Sequence, residues 1–87
     1  MGAAMTLHIT LGEPLWRERG AREFTVELEP GETLKLRELP EKLGLDEWTA
    51  EGLLAMVNDR LVAQRDAETL LLRDGDHVVL QAMLAGG

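Results

Sequence analysis

The chain ends with the segment 74-DGDHVVLQAMLAGG-87, in which a turn, a strand and a glycine pair follow one another. Residues 74–76 have the composition of a tight turn, because glycine adopts left-handed torsions and aspartate bonds to nearby backbone N–H groups. Residues 78–83 are rich in β-branched and apolar side chains, which predicts a last strand. No side chain from His77 to Gly87 carries a fixed charge, although 29% of the chain is charged. We therefore expect an uncharged tail, residues 84–87, beyond the strand.

The tail ends in the glycine pair Gly86-Gly87. Glycine has no Cβ, so these two positions can pass through a narrow channel and adopt torsions that are closed to other residues. Four extended residues, 84–87, reach roughly 13 Å beyond a domain. The carboxylate of Gly87 would then be the only charge on the tail, which suits presentation to another enzyme's active site. A frayed chain end is the alternative interpretation of the same residues.

The residues before this segment predict a β-hairpin. Residues 6–11 and 23–29 each alternate between apolar and polar side chains, which is typical of half-buried strands. Residues 16–22 are predicted to form an exposed, charged connection between them. Pro30-Gly31 ends the second strand as a turn. The two strands are therefore expected to pair antiparallel.

The middle of the chain predicts a helix and then further strands. Leucines at positions 36, 39 and 43 share one helical face, with Thr33 as the expected N-cap and Gly44 as the C-terminal cap. Pro40 makes this helix short or irregular. Residues 53–57 fit either a strand or the end of a helix that starts near Glu47, and a strand is favoured because Asn58-Asp59 follows as a turn.

The order of these elements predicts an α+β domain in which one main helix packs on a mixed sheet. Residues 61–62 resume apolar character, and residues 70–72 fit a short strand or a turn. We expect a single domain over residues 1–83, followed by the flexible tail 84–87.

Composition excludes several classes of function. A chain of 87 residues forms one domain and leaves no room for two lobes around a catalytic cleft. Its 9 basic and 16 acidic residues give a net charge of −7, and the basic residues are spread along the chain. Nucleic acids and anionic membranes are therefore not expected partners. The first residues lack the basic and apolar regions of a secretory signal, so we expect a cytoplasmic location.

The sequence offers no set of residues for catalysis or metal binding. Cysteine and serine are absent, which removes a thiol nucleophile, a serine nucleophile and a thiolate zinc site. His8 and His77 lie far apart in sequence, and we interpret both as surface positions on strands, with no metal and no bound cofactor expected. Trp16 and Trp48 are expected to cover the edge of a small core, with anchoring of a partner as the alternative.

The second half of the chain resembles the ubiquitin-like sulfur carrier proteins ThiS and MoaD. The resemblance rests on Val57-Asn58, Leu61-Val62, Leu72, Asp74-Gly75-Asp76, Val78-Val79-Leu80 and the terminal Ala85-Gly86-Gly87. In element order it extends over most of the chain. It implies a β-grasp fold and a role in cofactor biosynthesis of the thiamine or molybdopterin type.

The resemblance also implies a chemical cycle in which this chain is a protein co-substrate and not an enzyme. A ubiquitin-activating-type enzyme would use ATP and magnesium to adenylate the carboxylate of Gly87. A sulfurtransferase or persulfide donor would convert it to a thiocarboxylate, and an acceptor synthase would use the sulfur. The tail residues Met83, Leu84, Ala85, Gly86 and Gly87 would lie along the partner's channel.

Two other functions are compatible with the same residues. A ubiquitin-like modifier would be joined through Gly87 to lysines of target proteins. A plain interaction module would not use its terminal glycines at all. An exposed apolar surface on the sheet is expected to complete the docking site for the carrier, and the sequence alone does not identify its residues.

Overall fold

Alternation of apolar and polar residues produces a five-stranded sheet in the computed structural model, which describes residues 4–13, 15–45 and 53–82. The strands are β1 (Met5–Leu11), β2 (Glu23–Leu28), β3 (Leu53–Val57), β4 (Arg60–Val62) and β5 (His77–Ala82). They lie in the order β2-β1-β5-β3-β4. β1 and β5 are parallel, and the other neighbouring pairs are antiparallel. The predicted mixed sheet is therefore confirmed.

One face of the sheet forms the core. Leu7 in β1 and Val78 in β5 have no exposed surface, and Leu80 is buried beside them. Leu15 and Leu39, which come from the helical segments, are equally buried against this face. Each such side chain stabilises the fold by about 1.5–3 kcal/mol through removal from water. The buried side chains of β5 therefore pack in this core, and the strand lies in the centre of the sheet.

The helical layer consists of short segments within the described ranges. They are α1 (Leu15–Arg19), a 3-10 turn (Leu36–Glu38), α2 (Leu39–Lys42) and α3 (Gln64–Ala67). The exposure predicted for the connection over residues 16–22 is confirmed for residues 17–20 and 22, but residues 16–19 belong to α1, which the sequence does not predict. None of these helices is long and apolar enough to cross a bilayer.

The caps of the middle helix differ from the prediction at one end only. Thr33 is not the N-cap: the 3-10 turn follows Lys35, whose backbone N–H donates to the carboxylate of Glu38 at 2.9 Å. Pro40 falls in the first turn of α2, where its missing N–H costs no helical bond. Gly44 follows the helix with φ of +78°, so the predicted left-handed cap is confirmed.

The second half of the chain forms a hairpin, β3–β4, at the predicted Asn58-Asp59 turn. Asn58 and Asp59 have φ of 51° and 68° between the paired residues Val57 and Arg60, which is the torsion pattern of a two-residue hairpin turn. Leu71 forms an isolated bridge with Lys35 and is not part of a strand. The predicted connection over residues 46–52, with Trp48, lies outside the described residues.

Candidate functional site

The last strand of the chain leads to the predicted tail. β5 lies between β1 and β3, with Leu80 opposite Leu11 on one side and Ala82 opposite Leu53 on the other. The backbone N–H of Gly12 donates to the carbonyl of Leu80 at 2.8 Å, which fastens the end of β1 to this strand. The chain therefore leaves the sheet from its centre, flanked by the end of β1 and the start of β3.

The residues predicted to carry the chemistry follow directly on this exit point. Met83, Leu84, Ala85, Gly86 and Gly87 lie outside the described residues. The structure describes the chain as far as Ala82, which ends the central strand β5 and to which these residues are joined. The strand before them is thus held on both sides, and the chain beyond it starts from a defined position.

Gly12 allows the strands to approach closely at the exit. A Cβ added there would lie 3.0 Å from Cγ of Gln81 and 3.4 Å from its Cβ. Contacts this short would require the Gln81 side chain to move. A glycine at this position therefore leaves the Gln81 side chain in place where β1 ends beside β5.

The opposite end of β5 is fixed by the Asp74-Gly75-Asp76 turn. The Asp74 carboxylate accepts from the backbone N–H of Thr6 at 2.8 Å. The Asp76 carboxylate accepts from the backbone N–H of Arg73 at 2.7 Å and from the Asn58 amide at 2.9 Å. These bonds join the turn to β1 and to the β3–β4 hairpin.

Asn58 completes this network. Its side-chain oxygen accepts from the backbone N–H of His77 at 3.0 Å, and its own backbone N–H donates to the carbonyl of His77 at 2.8 Å. The predicted turn at Asp74-Gly75-Asp76 is confirmed, with Gly75 at φ of +84°. In addition, the turn sets the register of the strand that ends at the tail, a role that its composition alone does not indicate.

The face of the sheet opposite the core is divided between apolar and polar side chains. On β3, β4 and β5, Met56 lies directly opposite Val79 on one side and Leu61 on the other. Leu54, next to Met56 on the same face, lies opposite Gln81. We call Leu54, Met56, Leu61 and Val79 the apolar half of the open face.

The apolar half is accessible to a partner. Leu61 has 64% of its surface exposed, and the other three side chains are partly exposed. Large contiguous apolar patches on a monomeric protein often mark interaction sites. The four side chains lie on β3, β4 and β5, the last of which leads to the predicted tail. They form an exposed apolar surface on the sheet of the kind that the sequence analysis expects.

The other half of the open face is polar. His8 on β1 lies directly opposite His77 on β5, and both are exposed. The hydroxyl of Thr10 lies 2.8 Å from Nε2 of His77. The surface positions predicted for both histidines are confirmed, although their proximity is not predictable from their places in the sequence. Among the described residues there is no group of three or more His, Cys, Asp or Glu arranged to hold a metal ion.

Arginine side chains gather on two aromatic rings near the exit. The guanidinium carbons of Arg17 and Arg22 lie 5.3 and 5.2 Å from the centroid of Trp16, and that of Arg19 lies 4.8 Å from Phe24. Such contacts are attractive because a ring face is electron-rich. The basic residues are therefore less evenly spread than the sequence indicates.

Trp16 packs against the edge of the core, as expected. Its indole Nε1 is buried and has no hydrogen-bond partner within the described part of the chain. α1, which carries Trp16, starts directly after β1, and the backbone N–H of Trp16 donates to the carbonyl of Gly12 at 3.1 Å. The ring thus lies at the end of the sheet from which the tail leaves.

Comparison with known proteins identifies similar chains. A sequence model of the ThiS family matches residues 19–87. No curated protein sequence gives a significant match. Among solved structures, the HVO 2177 protein of Haloferax volcanii has a TM-score of 0.75 and 20% identity, covering 97% of this chain and 88% of its own.

Two further solved structures share the fold. The small archaeal modifier protein 1 of Methanosarcina acetivorans has a TM-score of 0.65 and 18% identity, covering 99% of this chain and 100% of its own. The thiamine biosynthesis protein ThiS of Geobacter metallireducens has a TM-score of 0.58 and 20% identity, with 92% and 99% covered. At these identities the structures establish the ubiquitin-like β-grasp fold, which confirms the predicted fold class.

Proposed function

Because this chain belongs to the ThiS family, we propose that it is a sulfur carrier whose Gly87 carboxylate is converted to a thiocarboxylate. The observation that carries the proposal is the Gly86-Gly87 terminus, which follows the central strand β5 by only a few residues and falls within the matched region. An uncharged tail that ends in two glycines is suited to enter a narrow channel.

The proposed chemistry takes place on the partner enzymes. A carboxylate is a poor electrophile, because its negative charge repels nucleophiles and oxide is a poor leaving group. An oxygen of the Gly87 carboxylate attacks the α-phosphorus of ATP, bound with magnesium on an adenylating enzyme, and pyrophosphate leaves. A sulfur nucleophile then attacks the acyl carbon, and AMP leaves. When the donor is a persulfide, reduction of the resulting disulfide by a thiol releases the thiocarboxylate.

The thiocarboxylate sulfur then attacks the substrate of an acceptor synthase, in biosynthesis of the thiamine or molybdopterin type. In this cycle the domain supplies recognition, and Met83, Leu84 and Ala85 pass along the partner's channel. The absence of cysteine from the chain is compatible with this role, because the terminal carboxylate remains as the place for covalent sulfur.

The apolar half of the open face is the proposed docking surface. Met56 is its centre, since it has an apolar neighbour on each adjacent strand. Interfaces place apolar side chains at their core and exclude water there. Docking through these strands would place the partner on the open face of the sheet, with Leu54 nearest to the end where β3 starts and β5 ends.

Conjugation to lysines is the second candidate function. It is favoured by the similarity in fold to the small archaeal modifier protein 1 of Methanosarcina acetivorans. Both functions need an activated Gly87 carboxylate. In the carrier, a sulfur nucleophile displaces AMP and the sulfur is passed on. In the modifier, a lysine amine attacks the acyl carbon and displaces AMP or the thiol of a later thioester. A non-catalytic interaction module is the third possibility, and it predicts that deletion of Gly87 has no effect.

The first experiment is the intact mass of the protein after incubation with an adenylating enzyme of this family, ATP, magnesium and sulfide. A mass gain equal to the replacement of one oxygen by sulfur supports the carrier function. The Gly87 deletion is the matched control and should show no gain. An unchanged mass, with the same enzyme active on its own carrier, refutes the carrier function for that pair, and conjugates on a denaturing gel would indicate the modifier.

Two tail variants test the geometry of the proposal. Gly86→Val should block adenylation while the domain stays folded, because a β-branched side chain widens the tail and restricts its torsions. A chain extended beyond Gly87 should also resist adenylation, because its carboxylate is displaced from the reacting position. Normal adenylation of an untrimmed extended chain would contradict the proposal.

A further inference from the structure

The edge strand β2 has backbone groups that no strand of the described ranges pairs with. In the sheet order β2-β1-β5-β3-β4, β2 has β1 as its one neighbour. Leu11 donates its N–H to the carbonyl of Arg22 at 2.8 Å, just before β2. Bonded and non-bonded pairs alternate along an antiparallel ladder. Glu23, Thr25 and Glu27 therefore direct their N–H and C=O groups away from β1, toward the open edge.

The side chains of β2 alternate between exposed polar residues on the open face and partly buried apolar residues on the core side. Glu23, Thr25 and Glu27 are exposed on the open face of the sheet. Phe24 and Val26 alternate with them on the core side and are only partly buried. An additional strand would therefore meet carboxylates on one face and, on the other, the partly exposed Val26 and the Phe24 ring, one side of which the Arg19 guanidinium covers.

We propose that β2 is a docking edge for an extended, basic segment of a partner protein. Residues directly opposite each other in a sheet have their side chains on the same face and interact. Basic residues opposite Glu23 and Glu27 would meet a carboxylate each, and apolar residues between them would cover Phe24 and Val26. The segment that fits best has basic and apolar residues in alternation, with a small polar residue opposite Thr25.

A second copy of this chain does not fit the same edge. Two β2 strands paired antiparallel about Thr25 would place Glu23 of each copy opposite Glu27 of the other. Like charges directly opposite each other destabilise a sheet. The net charge of −7 also opposes association of two copies and favours a basic partner.

Docking at β2 would leave the proposed carrier chemistry undisturbed. β1 and β5 separate β2 from β3 and β4, which carry most of the apolar half of the open face. A partner at β2 could therefore hold the protein while another enzyme occupies the apolar half and the tail. The inference does not depend on the proposed function, since a strand can add to this edge whether or not Gly87 is activated.

The test uses two synthetic peptides and the full chain. The first peptide contains Lys-Val-Thr-Val-Lys, and the matched control contains Glu-Val-Thr-Val-Glu. We expect the basic peptide to bind and to slow hydrogen exchange at the backbone N–H groups of Glu23, Thr25 and Glu27. The slowing should reach about tenfold when about nine-tenths of the protein is bound, because exchange then proceeds from the free fraction. Binding without protection of these amides would overturn the proposal, since charge attraction alone orders no strand.

A charge-swap variant is the second part of the test. The double variant Glu23→Lys, Glu27→Lys should lose affinity for the basic peptide by about tenfold and gain affinity for the acidic one, because each opposite pair reverses its sign. Both substitutions are on exposed side chains, so the fold should persist. Unchanged peptide preference in the folded variant would refute docking at this edge. Failure of both peptides to bind the native chain would also refute it, and would leave the glutamates as guards against edge-to-edge association.

Discussion

Removal of the Asp76 carboxylate should destabilise the protein more than its half-exposed position suggests. The carboxylate accepts from the Arg73 N–H at 2.7 Å and from the Asn58 amide at 2.9 Å. Hydrogen bonds to charged groups contribute about 1.5–3 kcal/mol each. Both partners are exposed, and water replaces part of each bond, so we assign each bond about 1 kcal/mol, the value of an ordinary protein hydrogen bond. We expect Asp76→Ala to lower the free energy of unfolding by about 2 kcal/mol.

Thermal and urea unfolding measure this loss directly. For a domain of this size, about 2 kcal/mol corresponds to a fall in melting temperature of about 10 °C. Asp76→Asn keeps one acceptor oxygen and should lose about half as much. Glu68→Ala is the matched control, because Glu68 is exposed and lies outside this network. A change below about 0.5 kcal/mol is expected there.

A loss in Asp76→Ala no greater than in the Glu68→Ala control would refute the assignment of this network. Asp74→Ala, which removes the single bond to Thr6, should fall between the two. At 25 °C the Asp76→Ala protein should remain largely folded and still be adenylated at Gly87. A folded variant that is not adenylated would indicate that the turn also contacts the partner.

Three other substitutions test separate parts of the structure. Asp59→Gly should stabilise the protein by about 0.5–1 kcal/mol in urea unfolding, because Asp59 has φ of 68° and glycine adopts this torsion without strain. Glu32 accepts from the N–H of Glu29 and from Lys42, which lowers the pKa of its carboxyl below the ordinary value. Glu32→Gln should therefore reduce stability at neutral pH, and the difference should vanish as pH falls through the folded-state pKa. Met56→Glu should raise KM for adenylation by at least about tenfold with an unchanged melting temperature, because it places a charge in the centre of the docking surface.

Local patterns predicted the strands and turns well. Alternation in residues 6–11 and 23–29 identifies β1 and β2, because a half-buried strand must alternate. The Asn58-Asp59 turn and the Gly44 cap depend on torsions that only a few residue types adopt readily, so single residues were sufficient to place them. The order of strands was not predictable in the same way. The parallel pairing of β1 with β5 joins the two ends of the chain and depends on the packed core.

Short helices were predicted less well, because one turn of helix leaves little periodic signal. In α1, Leu15 is the buried residue and the following charged side chains conceal it in the sequence. The expected N-cap at Thr33 failed because Glu38 bonds back to the N–H of Lys35 and starts the 3-10 turn there. From sequence alone, a glutamate whose carboxylate accepts from the backbone N–H three residues earlier is hard to distinguish from one whose carboxylate remains in solvent.

The parts of the candidate site differ in how far the sequence predicts them, and the role of the tail, residues 83–87, stays a prediction. The tail residues are recognisable in sequence, because an uncharged end with two glycines is a local feature. The apolar half of the open face is not, since Met56 and Val79 become neighbours only through the register of β3 and β5. The proximity of His8 and His77 was missed for the same reason.

Register is what connects the fold of this protein to its proposed function. Within β5, Val78 and Leu80 are in the core while Val79 lies on the open face, and the strand continues into the tail. A shift of one residue would exchange these faces, because side chains in a strand alternate. It would place Val79 in the core, remove it from the docking surface and change the reach of the tail. The bonds of Asp76 and Asn58 at the start of β5 oppose such a shift. The proposed docking surface therefore depends on the turn, although the two share no side chain.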